Sequence, residues 1–207
     1  KNDEKILSKG NSKATYEDII INADEFEYDK ILNVLIAKGN VRAEDTIKNL
    51  NINSNTIIYK KNDEKILSKG NSKATYEDII INADEFEYNH NLNILNAKGK
   101  VKIEDVVKNY IINGNSITYE KNLEKIFSKG LTKAKIDSKY DLESSELIFL
   151  KNKLEISSKE EAKILTNDNT LYQFEKFVFY INKKLLKASN VYINENASLS
   201  SDKTDHL

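Results

Sequence analysis

The chain has 207 residues, enough for one large β domain or two small ones, and 32 basic against 33 acidic residues leave a formal charge of −1. No basic field exists to hold a phosphate backbone, which argues against nucleic acid as a partner. Cysteine is absent, which excludes disulfides and thiolate metal sites.

Methionine is also absent, so a removed leader or an origin inside a longer chain is expected. No apolar run approaches the roughly 18 residues of a membrane helix. Proline is missing too. That suits an unbroken β ladder, although an AT-rich coding bias, visible in the many Lys, Asn and Ile, is the larger cause.

In chain order the first feature is repetition. Residues 1–28 recur unchanged at 61–88, an offset of 60. A shorter period of about 30 lies inside it, because Gly10, Gly39, Gly70, Gly99 and Gly130 follow one another at 29, 31, 29 and 31. Ser158 and Ser189 stand in the glycine column of two degenerate units. An aromatic column holds Tyr28, Tyr59, Tyr88, Tyr119, Phe149 and Phe179, and an apolar column holds Ile21, Ile52, Ile81, Ile112 and Leu142. About seven units follow, near 1–30, 31–60, 61–90, 91–120, 121–150, 151–180 and 181–200, with a polar tail at 201–207. No linker interrupts them, so residues 1–207 are read as one repeat domain.

Each unit reads as β. Ile19, Ile21 and Ala23 alternate with polar neighbours, and the phase then slips to Phe26 and Tyr28. Such a slip marks a bulge or corner. Leu50, Ile52 and Ser54 before Ile57 and Tyr59 repeat it, as do Ile81 and Ala83 before Phe86 and Tyr88, and Ile112 and Gly114 before Ile117 and Tyr119. Polar clusters at Glu17–Asp18, Asp29–Lys30, Asn49 and Lys60–Asp63 predict turns. The Lys-Gly-Asn steps at 38–40 and 69–71 predict a second kind of corner, where glycine adopts φ > 0. The stretch 43–50 is the best helix candidate. Its counterpart at 103–110 is β-branched, so both are read as strand–turn–strand. The expected fold is all-β: an elongated antiparallel stack of strands of 5–8 residues.

Catalytic signals are weak. His90 and His206 show no ligand spacing and are read as solvent-facing polar residues. No serine sits in a nucleophile elbow. The acid pairs Glu17/Asp18 and Glu44/Asp45 recur with the repeat and read as turn features. No loop has calcium-ligand spacing. The inner positions mix large residues (Ile21, Phe26, Tyr28) with small ones (Ala14, Ala23, Ala37, Ala43), which suits either a packed core or a groove. The expectation is a non-enzyme without cofactor or metal.

One motif carries a resemblance. Ile21, Ala23, Asp24, Tyr28, Ala37, Gly39, Asn40 and Val41 match the signature of the OstA-like family, and Ala83, Asp84, Tyr88, Ala97, Gly99 and Val101 match it again. The second copy departs at Lys100, and Ser189–Asn190–Val191 keeps only the motif's tail. The family contains periplasmic lipopolysaccharide-transport proteins and the N-terminal domains of outer-membrane assembly proteins. The resemblance implies a V-shaped sheet, the β-taco or open β-jelly roll, with lipopolysaccharide acyl chains in an open apolar trough. It implies a periplasmic, outer-membrane-associated location. It implies lipopolysaccharide and other OstA-like β-domains as partners, the latter by edge-to-edge β-augmentation. Two cases stay open: a free bridge protein, or the N-terminal part of a chain that also carries an outer-membrane barrel. The lipid-facing residues would be Ile21, Ala23, Phe26, Tyr28, Ile52, Ile57, Tyr59, Ile81, Ala83, Phe86, Tyr88, Ile112, Ile117, Tyr119, Leu142 and Phe149. Gly10, Gly39, Gly70, Gly99 and Gly130 would shape turns. The rival reading is a structural β-solenoid spacer with a dry interior.

Overall fold

A computed structural model describes residues 4–195. Ten long strands come first: β1 (Lys5–Tyr16), β2 (Ile19–Asp29), β3 (Val34–Asp45), β4 (Leu50–Lys60), β5 (Lys65–Tyr76), β6 (Ile79–Asn89), β7 (Ile94–Asp105), β8 (Tyr110–Glu120), β9 (Lys125–Ile136) and β10 (Tyr140–Leu150). Six short ones follow: β11 (Glu155–Ser158), β12 (Ala162–Thr166), β13 (Leu171–Phe174), β14 (Lys176–Tyr180), β15 (Leu185–Ser189) and β16 (Tyr192–Asn194). All belong to one 16-stranded sheet in which each long strand pairs antiparallel with the next, and among the described residues no pairing closes it into a barrel. The stretch 43–50 is strand, turn and strand, as its β-branched counterpart suggested.

The polar clusters form the turns. Asp45 Oδ1 accepts the Lys48 backbone N–H at 2.8 Å, and Asp105 Oδ1 accepts that of Lys108 at 2.8 Å. Asp29 Oδ1 accepts the N–H groups of Ile31 and Leu32. These side chains stand in for the next strand's carbonyls, which is why Asp and Asn recur at strand ends.

The ten long strands exceed the expected 5–8 residues, because the mid-strand corner bends each of them without ending it, while the last six run to 3–5 residues. Along β2 and β3 the register slips between Asn22 and Glu25, where Ala23 and Asp24 face Gly39, Asn40 and Val41. The extra residue sits in the odd-numbered strand. Gly39 and Asn40 both adopt left-handed backbone (φ 75° and 45°), and Asn40 Nδ2 donates to Asp24 Oδ2 at 2.9 Å. The same slip recurs at the same height across all ten long strands. Stacked bulges form a crease, and the sheet folds along it into two facing limbs. One limb carries the strand ends around Asp29, Lys60 and Asn89. The other carries those around Tyr16, Asp45 and Tyr76.

Beyond β10 the crease breaks. Ser158, in the glycine column, ends β11, and β12 starts afresh at Ala162. Ser189 ends β15 in the same way. The sheet divides there, with β11–β14–β15 continuing one limb and β12–β13–β16 the other. Neither serine takes the left-handed conformation that glycine adopts there, although Asn190 keeps it at φ 52°, and the bent strand becomes two.

The mixture of large and small inner residues follows the wedge between the limbs. On the limb of Tyr16 and Asp45, the inner residues next to the crease are all small: Ser12, Ala23, Val41, Ser54, Ser72, Ala83, Val101, Gly114, Thr132 and Ser144. At the wide end stand Ile19, Leu50, Tyr76, Ile79, Tyr110 and Ile136. Buried hydroxyls bridge the narrow end, as in Ser54–Ser72 (3.0 Å) and Ser68–Ser72 (2.8 Å). Size graded to local width is how a wedge reaches interior packing density.

Candidate functional site

The structure brings the candidate lipid-facing residues into one continuous interior. Ile21, Ala23, Phe26, Ile52, Ile57, Tyr59, Ile81, Ala83, Phe86, Tyr88, Ile112, Ile117, Tyr119, Leu142 and Phe149 all belong to a single buried cluster, and Tyr28 packs against it half-buried. All five column glycines, Gly10, Gly39, Gly70, Gly99 and Gly130, lie on the crease with φ between 74° and 86°.

That interior is open at its first end. Beside β1 a cavity of about 400 Å³ is lined by Ile6, Ala14, Ile21, Phe26, Tyr28 and Tyr59 among others. This volume falls in the range of small-molecule sites. A smaller cavity of about 270 Å³ lies at the far end between Tyr140, Ile164, Tyr172, Phe179 and Leu186; between the two the wedge is filled, with Ala37, Ile57, Ile79, Ile103, Ile112, Ile126 and Phe149 fully buried.

The slit between the free ends of the limbs is bridged by side chains, a feature the sequence reading missed. Each even long strand ends just before one member of a mostly basic column: Lys30, Lys61, His90, Lys121 and Lys151. The odd strands end on Tyr16, Asp45, Tyr76 and Asp105. The columns meet at a sequence offset of 45 or 46, forming rungs across the slit. Lys61 Nζ lies 4.1 Å from the Tyr16 ring centre, and Lys121 Nζ lies 3.6 Å from that of Tyr76. His90 Nδ1 lies 2.7 Å from Asp45 Oδ2, and Lys151 Nζ lies 3.5 Å from Asp105 Oδ2. Tyr88 Oη also donates to Asp45 Oδ2 at 2.8 Å, and Lys121 Nζ donates to the Lys48 carbonyl at 2.8 Å. Tilted ring pairs flank the seam, Tyr16 beside Tyr59 at 6.1 Å between centres and Tyr76 beside Tyr119 at 6.2 Å.

Two expectations change here. His90 is 19% exposed and lies within hydrogen-bond distance of a buried carboxylate, so it is a seam residue, not a solvent-facing one. Asp45 caps its turn as expected, but its second oxygen points inward to Tyr88 and His90. His206 lies outside the described residues. The signal for the seam was present in the 30-residue spacing of the basic residues. Reading it required knowing that a strand end meets another one and a half units away.

Burial raises the Tyr59, Tyr88, Tyr110 and Tyr119 phenols above their ordinary value; for Tyr88 the bond to Asp45 adds to this. Burial lowers Lys121 to about 8, opposed by the carboxylates of Asp45 and Glu77. Among the described residues no group of three or more His, Asp or Glu converges to hold a metal ion.

No family model and no curated protein matches the chain. Among solved structures it is similar to LptH from Pseudomonas aeruginosa, described as the LptA homologous periplasmic component of the conserved lipopolysaccharide transport device. That match has 14% identity and a TM-score of 0.25, covering 85% of this chain and 93% of LptH. At that TM-score the likeness is too loose to argue from.

Proposed function

We propose that the chain is a non-catalytic lipid carrier: a single OstA-like repeat domain whose interior holds the acyl chains of lipopolysaccharide or a similar lipid and passes them across the periplasm to the outer membrane. The observation that carries this is the continuous apolar interior, open at the β1 end in a cavity of about 400 Å³. The repeated Ala-Asp and Ala-x-Gly-Asn-Val signature supports it. Shielding acyl chains from water is worth about 0.8 kcal/mol for each CH₂ group, which a wedge of this kind supplies without any catalytic residue. Edge strand β1 pairs only with β2 among the described residues and exposes Ile6 and Leu7. It offers a neighbouring OstA-like domain, or a further part of the same chain such as an outer-membrane barrel, a strand to extend.

The second reading, a structural spacer, is favoured by a different observation: behind the seam the interior is filled by its own side chains. Photo-crosslinking separates the two. Probes at Ile21, Ile52, Ile81 and Ile112 should label lipid, and probes at outward Glu25 and Glu85 should not. Absence of any adduct at the four inner positions would leave the spacer.

A further inference from the structure

We propose that the seam is a lateral gate, whose polar rungs part at the free ends of the limbs while the creased sheet stays intact. Its use for lipid admission rests on the carrier reading above; its opening does not. Among the described residues the limbs meet across the slit through side chains, and every backbone hydrogen bond between turns stays within one limb. Opening therefore breaks no ladder. The rungs are also not demanded by the fold. In the same strand positions one step further on, the chain places Ile136 and Ile181, both packed on the core. An apolar rung is thus compatible with this geometry, and apolar replacements of buried ion pairs are commonly as stable or more so. Four successive polar rungs close the interior less firmly than isoleucines would. The crease supplies the hinge, because its inner residues are small on the limb of Tyr16 and Asp45 and glycine recurs on it in the odd long strands. An apolar chain can reach the filled middle of the wedge only if the limbs separate, and the seam is the face along which separation costs least.

The test compares wild type with a loosened and a sealed protein. Asp45→Ala removes the rung shared by His90 and Tyr88. His90→Ala combined with Tyr88→Phe does so while keeping the Asp45 turn, should the first variant fold poorly. Asp45→Leu combined with His90→Leu and Tyr88→Phe replaces the rung by apolar groups. Amide hydrogen exchange is read separately for the limb ends of β3 and β6 and for their crease residues, and uptake of a pyrene-labelled fatty acid is followed in parallel. The loosened protein should exchange about tenfold faster at the limb ends with crease amides unchanged, and the sealed protein should exchange and take up the probe more slowly than wild type. Exchange that accelerates equally at crease and limb ends, or at neither, overturns the gate. Uptake by the sealed protein as fast as by wild type also overturns it, since the probe then arrives by the open β1 end. If exchange responds as stated but no protein takes up the probe, the gate stands and the carrier reading falls.

Discussion

Asp45 and Asp105 occupy equivalent places in the two 60-residue halves, and both are 1% exposed. Their surroundings differ at two positions. Asp45 Oδ2 is satisfied by Tyr88 and His90. In the next half Phe149 replaces the tyrosine and Lys151 the histidine, and Asp105 Oδ2 is left with no hydrogen bond, only the Lys151 ion pair at 3.5 Å. A buried acceptor without a donor costs about 1–3 kcal/mol. Phe149→Tyr should place a hydroxyl where Tyr88 has one, and raise stability by about 1 kcal/mol, seen as a higher urea midpoint. Phe149 packs edge-on to Tyr110 with ring centres 4.8 Å apart. A lower midpoint would mean that this contact leaves no room for the oxygen and that the halves are not interchangeable.

Among the elements, the bent strand is the unit that makes the interior, and its bend rests on glycine for two separable reasons. Gly10 and Gly39 both need left-handed backbone, at φ 80° and 75°. A Cβ on Gly10 would meet nothing within 4 Å, whereas one on Gly39 would collide with the Asp24 side chain. Gly10→Ala should therefore cost only the backbone term, about 1 kcal/mol. Gly39→Ala should cost roughly 1–3 kcal/mol more, because Asp24 must give up Asn40 to make room. Equal losses in denaturant titrations would show that the Asp24 contact contributes nothing. This pairing also explains what was legible in the sequence. Ala23-Asp24 and Gly39-Asn40-Val41, which carried the family resemblance, lie opposite one another on the crease, so the signature records how the strand bends and does not by itself name a ligand. The all-β fold, the turns and the inner columns followed from period-2 alternation and from polar corners, which are local signals. Strand length was underread because a phase slip looks like an end. The seam was missed because its partners lie 45 residues apart and are joined only by the closing of the limbs.

At the scale of the whole molecule, stability becomes a sum over similar wedges, and its pH dependence is a probe of how tightly they are shut. Lys121, 4% exposed in the seam, titrates at about 8 in the folded state against 10.5 when free. Between these values the unfolded chain binds more protons, so stability rises with pH across this window, and below about pH 8 the cost of burying the ammonium is present in full. The buried phenols act with the opposite sign. Tyr59, Tyr88, Tyr110 and Tyr119 are raised above 10.0, mainly by burial. Above that value the unfolded chain loses protons that the folded one retains, so stability falls. The urea midpoint, followed by circular dichroism, should climb from pH 8 towards 10 and then drop steeply. Lys121→Met keeps the side-chain volume over the Tyr76 ring without the charge. It gives up the bond to the Lys48 carbonyl, which lies in an exposed turn that water can reach. The variant should be more stable than wild type at pH 7 by roughly 1–3 kcal/mol, should lack the climb, and should keep the alkaline drop. A variant that retains the climb would place the titrating group elsewhere, and one that is less stable at pH 7 would show that the cation's contacts with the Tyr76 ring and Lys48 outweigh its desolvation, so that this rung holds the seam shut.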